Sequence, residues 1–219
     1  MRCVIFSGAD IDEYKFVASY LRGDDFVICA DSGLRHAERL NITPDLVIGD
    51  FDSLGKIPDG IESVITLPCE KDVTDTYAAA EKAVESGATE VLIFGAVGTR
   101  LDHTFGNIAT LEYLRENNVF AHIIDSHNEI MLIKNEKVTV NKDKGTFLSL
   151  IPLDYELSGV TLSGVKYPLE NARIFRSKTL TISNEITADL AEMIPGATAL
   201  STSEFGNILI DKLQVSIDK

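Results

Sequence analysis

The 219-residue chain has no tryptophan, three cysteines and four histidines, and its 20 basic residues are outnumbered by 34 acidic ones. Each scarcity removes a class of function. Cys3, Cys29 and Cys69 are odd in number and lack metal-type spacing, and two lie in apolar runs. Buried, reduced thiols are therefore expected instead of a disulfide frame. His36, His103, His122 and His127 form no zinc pattern. A formal net charge of −14 argues against nucleic acid, whose binding relies on Lys and Arg to neutralise phosphates. No apolar run approaches the roughly 20 residues needed to span a bilayer. The opening Met1-Arg2-Cys3-Val4-Ile5-Phe6-Ser7-Gly8 meets Asp10 and Asp12 at once, so it reads as a first strand and not a signal peptide. Neither a Walker A loop nor a Gly-x-Gly-x-x-Gly fingerprint occurs. A cytoplasmic soluble enzyme, with no membrane and no nucleic-acid partner, fits this composition.

What the chain does have is acid at the ends of apolar strands. Val27-Ile28-Cys29-Ala30 runs into Asp31-Ser32-Gly33, and Leu46-Val47-Ile48-Gly49 runs into Asp50-Phe51-Asp52. Fully buried parallel strands read as apolar runs, and ligands of open α/β sheets gather beyond their carboxyl ends. Asp50 and Asp52 are two apart, so in an extended segment they leave one face. Oxygens so placed suit a hard cation such as Mg²⁺. As turn residues alone they need no ligand. A third acidic group, Asp72-Val73-Thr74-Asp75, opens a helical stretch, where Asp72 or Thr74 could equally be a helix cap. Val91-Leu92-Ile93-Phe94 then enters Gly95-Ala96-Val97-Gly98-Thr99-Arg100-Leu101-Asp102-His103. Backbone N–H groups, a helix N-terminus and an Arg fork together suit a polyphosphate. In so acidic a chain Arg100, Lys71, Arg35 and His103 gain interest as local counter-charges.

Strands and helical stretches alternate up to about residue 127. The strands are Cys3–Gly8, Phe26–Asp31, Leu46–Phe51, Ser63–Leu67, Val91–Ala96 and His122–Asp125, with helices at Ile11–Leu21, Gly33–Leu40, Thr74–Glu85 and Asp102–Asn117. The last helix counts Leu101, Phe105, Ile108 and Leu111 as its apolar positions. This predicts an α/β domain, residues 1–127, with a doubly wound, Rossmann-like parallel sheet. Residues 128–219 change to short β-like runs at Glu129–Lys134, Lys137–Val140, Thr146–Ile151, Gly159–Leu162, Thr179–Ile182, Ala197–Ser201, Asn207–Ile210 and Gln214–Ile217, with Ala188–Met193 at most a short turn. An all-β sandwich or jelly-roll-like domain is expected there.

The segments Asp31-Ser32-Gly33, Gly49-Asp50-Phe51-Asp52-Ser53, Asp72-Val73-Thr74-Asp75 and Gly95 through His103 stand in the order and spacing of thiamine pyrophosphokinases. The chain resembles a bacterial member of that family. Gly164-Val165-Lys166-Tyr167-Pro168-Leu169 and Ser183-Asn184-Glu185 extend the resemblance, more loosely, into the second half. It implies transfer of a diphosphate from ATP to the thiamine hydroxyl, giving thiamine diphosphate and AMP. It further implies Mg²⁺ on Asp50, Asp52 and Asp75, and ATP near Gly95, Gly98 and Arg100. Asp31, Ser32, Asp72, Thr74, Asp102 and His103 would support metal, nucleotide or nucleophile. Tyr167, Ser183 and Asn184 would take the thiamine rings by stacking and hydrogen bonding. Some relatives carry Trp where this chain has Tyr167, which can also stack. A homodimer with thiamine between subunits is implied too. Two rivals remain at this level: a pyrophosphokinase for another heteroaromatic alcohol such as a hydroxymethyl pterin, and a non-catalytic nucleotide or thiamine sensor.

Overall fold

The computed structural model describes residues 1–50, 61, 63–68, 72–141, 147–179, 181–182, 184–186, 190–194, 200–202 and 209–210. The chain divides into two compact units, Met1–Ser126 and His127–Lys219.

In the first unit the apolar runs become β1 (Arg2–Phe6), β2 (Phe26–Ala30), β3 (Leu46–Gly49), β4 (Val64–Thr66), β5 (Glu90–Phe94) and β6 (Phe120–Ile124). Among the described residues these six pair in parallel, in the order β4-β3-β2-β1-β5-β6. The chain thus moves outward from β1 to β4, returns through a helix, and continues on the other side of β1. Right-handed crossovers then cover both faces of the sheet. On one face Val4 and Phe6 of β1, Val27 and Cys29 of β2, Val47 of β3, and Leu92 and Phe94 of β5 pack with Val17 of α1 (Tyr14–Tyr20) and with Leu34 and Ala37 of α2 (Leu34–Leu40). The intervening Cys3, Ile5, Ile28, Ile48, Val91 and Ile93 are also buried. They turn to the opposite face, as alternate strand residues must. There α3 (Asp75–Glu85) crosses β1, β2 and β3 on Ala78, Ala79, Ala80 and Ala83, and α4 (Leu101–Glu116) lies along β6. Tyr77 and Tyr113 meet at 4.8 Å between α3 and α4.

Burial on both faces is why β1, β2, β3 and β5 carry no polar alternation. Cys3 and Cys29 are buried free thiols, and burial pushes their ionisation up to about 12, which makes them poor nucleophiles. On α4 the expected apolar stripe is only half used. Leu111 and Leu114 are buried, whereas Leu101 and Phe105 stand 66% and 68% exposed at its start.

The second unit is β-rich. One antiparallel group runs β13 (Asn184–Glu185), β9 (Phe147–Ser149), β15 (Leu200–Thr202), β7 (Asn128–Ile133), and β16 (Leu209–Ile210) pairs in parallel with β7 and with β10 (Ile151–Pro152). A second antiparallel sheet runs β12 (Leu169–Phe175), β11 (Glu156–Leu162), β14 (Leu190–Ile194), β8 (Val138–Asn141). Three expectations change here. The region around Ala188–Met193 holds strand β14, not a turn. Thr179–Ile182 is not a strand in its described residues but a turn, closed by the Ile182 N–H on the Thr179 carbonyl at 3.2 Å. The strand β12 was not anticipated, because Glu170-Asn171 and Arg173 break its apolar pattern. The run Gln214–Ile217 lies outside the described residues.

One charge pair ties the start of β1 to the turn before β2. Arg2 grips Asp25 with two bonds, Nε to Oδ1 at 2.6 Å and Nη2 to Oδ2 at 2.7 Å, and also donates to the Tyr20 carbonyl at 2.8 Å. Burial pushes the Asp25 carboxyl up, but Arg2 and the Arg22 N–H outweigh it and hold the group below its ordinary range. A carboxyl lowered on folding stabilises the fold above the unfolded value and loses that contribution as pH falls through the folded one. Asp25→Asn should therefore cost about 3 kcal/mol near neutral pH, the scale for breaking a buried pair. In denaturant unfolding the gap to the parent should close below about pH 4. A gap unchanged at acid pH would contradict an ionic role for Asp25.

Candidate active site

Parallel pairing brings the carboxyl ends of β1 to β5 to one edge of the sheet, and the loops there hold one another. The turn after β1 is their hub. Its Ser7 N–H donates to the Phe94 carbonyl at 2.8 Å and its Ala9 N–H to the Gly95 carbonyl at 2.8 Å, extending the β1–β5 pairing past both strands. Ser7 Oγ lies 2.9 Å from Thr76 Oγ1, both side chains being buried, and so joins this turn to the start of α3. A Cβ on Gly33, in the turn after β2, would stand 2.0 Å from the Phe6 carbonyl oxygen. Gly95 has φ +66, and a Cβ there would come within 2.6 Å of the Ser7 oxygen and 2.9 Å of the Ala9 oxygen. Only glycine meets both demands at that position.

The acidic residues sit around this hub. Asp31 opens a short 3₁₀ turn, Asp31–Gly33, with φ 46, a conformation Asp tolerates better than most residues. A Cβ on Gly49 would lie 3.0 Å from Asp31 Cα, so the end of β3 that leads into Asp50 abuts Asp31. Thr74 caps α3, accepting the Tyr77 N–H at 3.2 Å, and Asp75 follows in the first turn. Of the two capping options in the sequence, Thr74 takes the role; Asp72 is exposed. Asp52, Ser183 and Lys71 lie outside the described residues. Among the described residues no group of three or more His, Cys, Asp or Glu side chains converges as a metal site.

The loop after β5 is braced from within. Asn107 Nδ2 of α4 donates to the Ala96 carbonyl at 2.8 Å, buried, and Thr104 Oγ1 accepts the Gly98 N–H at 3.2 Å. Arg100 lies at the N-cap of α4 with its fork on Asp102, Nη2 to Oδ2 at 2.6 Å, and the His103 ring is 4.0 Å from the same carboxylate. The bond to Arg100 holds the Asp102 carboxyl below its ordinary range and raises Arg100 in turn. Both side chains are exposed, and such pairs stabilise little. The guanidinium can therefore exchange Asp102 for a polyphosphate oxygen with small loss.

In the second unit Tyr167 presents a 65% exposed ring just before β12. Asn184, expected at an aminopyrimidine edge, is buried instead, and both ends of its amide hold the Tyr167 backbone. Tyr167 N–H donates to Asn184 Oδ1 at 2.9 Å, and Asn184 Nδ2 donates to the Tyr167 carbonyl at 2.7 Å. The Lys166 N–H on the Glu185 carbonyl (2.8 Å), a Lys166–Glu185 ion pair (3.1 Å) and a Val165–Ile186 bridge zip the flanking residues together.

Several residues of the first unit's site were not singled out in the sequence. Ser7 was readable as the residue following β1. Thr76 and Asn107 carry no signal beyond being polar positions within helices.

Two family models match this chain: the catalytic domain of thiamin pyrophosphokinase over residues 17–123, and its vitamin B1 binding domain over residues 133–194. A thiamine pyrophosphokinase of Bacillus subtilis is 34% identical over 151 residues, covering 66% of this chain and 71% of that protein. The chain belongs to the thiamine pyrophosphokinase family. Another relative, thiamin pyrophosphokinase 1 of Caenorhabditis elegans, is 25% identical over 174 residues, covering 75% of this chain and 71% of that protein. Among solved structures, the B. subtilis enzyme aligns at TM-score 0.80 and 28% identity, over 91% of this chain and 96% of that one. That of Geobacillus thermodenitrificans aligns at TM-score 0.77 and 30% identity, over 91% and 95%. The catalytic match falls within the first compact unit and the B1-binding match within the second.

Gly95 gives this family member a test of its loop packing. Gly87 has φ +81 with open space around it, whereas Gly95 combines φ +66 with the two carbonyl oxygens. Alanine at Gly87 should show only the left-handed backbone penalty of about 1–2 kcal/mol. Gly95→Ala should lower stability by clearly more, read as urea midpoints at equal slope. Equal losses would contradict the close approach of the β1 and β5 turns.

Proposed function

We propose that this chain transfers a diphosphate group from ATP to the hydroxyl of thiamine, giving thiamine diphosphate and AMP. The observation that carries this is the pair of family matches, catalytic and vitamin B1 binding, falling one in each compact unit. Neither the pterin-type acceptor nor the non-catalytic sensor finds support among the relatives.

In this reading the ATP phosphates lie over the strand-end edge, against the Gly95–Gly98 loop, the start of α4 and Arg100. Asp50, Asp52 and Asp75 would hold Mg²⁺; carboxylate oxygens are the donor set that this ion takes. The Asp31–Gly49 contact and the Ser7–Thr76 bond, which draws the start of α3 to this edge, support the fit. Bound there, the ion would neutralise charge on the polyphosphate. The chain's own part is positioning and charge stabilisation, which supply most of the rate in phosphoryl-type transfer. Arg100 leaves Asp102 for the phosphates, while Asp31, Ser32, Asp72, Thr74, Asp102 and His103 line the nucleotide side. Tyr167 stacks on the thiamine rings. Asn184 serves it by fixing its backbone, and Ser183 contributes a hydroxyl. The β-rich unit is read as a sandwich carrying this acceptor site. The active form is read as a cytoplasmic homodimer whose thiamine sites lie between subunits. No helix among the described residues is long and apolar enough to cross a membrane.

Steady-state kinetics on two variants should separate the two units. Asp75→Asn should reduce turnover by about 10²-fold or more, the scale on which one preorganised electrostatic group acts. Tyr167→Ala should raise the KM for thiamine by roughly tenfold, since an aromatic contact and its buried area together exceed about 1.4 kcal/mol. Its KM for ATP should stay within about twofold, less than 0.5 kcal/mol. An Asp75→Asn protein with full turnover, or a Tyr167→Ala protein whose two constants move together, would return these residues to structural roles.

A further inference from the structure

α2 carries a side chain whose place the diphosphotransfer chemistry does not require. His36 is 1% exposed, yet its ring is bonded on both sides. Nε2 lies 2.9 Å from the Ala9 carbonyl oxygen and Nδ1 lies 2.7 Å from the Tyr14 hydroxyl. A carbonyl oxygen only accepts, so Nε2 must carry the hydrogen. In a neutral imidazole the other nitrogen then accepts, and Tyr14 donates. Tyr14 is itself steadied by Arg39, whose Nη1 donates to its hydroxyl at 3.3 Å and whose guanidinium carbon lies 5.4 Å from the ring centre.

The carbonyl His36 holds is the hub of the strand-end edge. Ala9 donates its N–H to Gly95, and a Cβ on Gly95 would stand 3.3 Å from His36 Nε2 as well as against the Ser7 and Ala9 oxygens. The neighbouring Arg35 takes the preceding carbonyl, Gly8, at 2.8 Å and Asp10 at 2.7 Å. Consecutive residues of one helix therefore fix consecutive carbonyls of the β1 turn, and that turn carries the Gly95 loop. Burial lowers the imidazole's affinity for a proton, the Ala9 bond opposes this, Arg35 and Arg39 reinforce it and Asp10 works against it. The balance favours the neutral ring.

We propose that His36 is a positioning residue for the nucleotide half of the site. As the Nε2-protonated neutral imidazole it bridges Tyr14 and the Ala9 carbonyl, setting the β1 turn and with it the Gly95 loop that faces the ATP phosphates. This rests on the diphosphotransfer reading above. A truncated side chain leaves the Ala9 oxygen without its donor and loosens the phosphate-facing turn, while Tyr167 in the other unit is untouched.

The test uses His36→Leu, His36→Gln and Tyr14→Phe. Gln places an amide N–H near the position of Nε2 and so keeps the bond to Ala9. His36→Leu should raise the KM for ATP by roughly tenfold, the scale of leaving one buried acceptor unpaired, with the KM for thiamine unchanged. His36→Gln should recover most of that loss, and Tyr14→Phe should shift the ATP constant in the same direction by less. Should the Leu variant fail to fold, the Gln and Phe variants still decide. Nitrogen NMR of the substrate-free parent should show the Nε2-protonated neutral ring, a readout independent of turnover. The inference is overturned if an active parent gives variants whose two constants move together, if Gln is no better than Leu, or if the ring is protonated on Nδ1. A parent that makes no AMP from ATP and thiamine would instead overturn the function on which the role depends.

Discussion

The pairing of β1 in parallel on both edges, with β2 on one side and β5 on the other, is the constraint from which the site follows. Because β2, β3 and β4 extend the sheet in one direction and β5 and β6 in the other, the loops after β1 and β5 part at this strand pair. Ligands of open α/β sheets bind at such a reversal. Here the two loops are also bonded together, by Ser7 to Phe94 and Ala9 to Gly95. These backbone bonds fix the β1 and β5 turns against each other. Preorganisation of this kind is what phosphoryl-type transfer asks of a protein, since most of the work is holding charge in place.

Much of this was legible in the sequence, and for definite reasons. Runs such as Val27–Ala30 and Val91–Phe94 are buried on both faces, so their lack of alternation marked a parallel sheet directly. Their acidic or glycine-rich exits located the edge. The parts that were missed involve partners distant in sequence. Nothing local says that Ser7 will meet Thr76, that His36 will bond the Ala9 carbonyl, or that Asn184 will hold the backbone of Tyr167. Those bonds span 69, 27 and 17 residues. In the β-rich unit the short strands fared worse. The half-exposed β12 mixes Glu170, Asn171 and Arg173 into its run, and a strand that buries only some of its residues leaves no clean period to read. The exposure of Leu101 and Phe105 was equally hidden, because a helical stripe shows which residues share a face and not whether another element covers it.

The charge of the chain takes on a different meaning once the edge is built. A net −14 repels a polyphosphate at long range, so in the proposed reaction binding rests on local donors, for which the loop after β5, the start of α4 and the guanidinium of Arg100 are the groups offered. Arg100 waits on Asp102 in solvent, where the pair stabilises the fold little and is easily exchanged. Under the same proposal the carboxylates of the strand ends would serve the cation that accompanies the nucleotide. Acidic surroundings of this kind would tie polyphosphate binding to the metal instead of to a fixed basic patch.

One reaction decides which phosphorus the acceptor attacks. The purified protein is incubated with ATP, Mg²⁺ and thiamine, and nucleotides and thiamine esters are separated together. AMP and thiamine diphosphate should appear in equal amounts from the earliest time, with no lag and no monophosphate intermediate. ADP with thiamine monophosphate as the main products would contradict it, because that outcome requires attack on the terminal phosphorus.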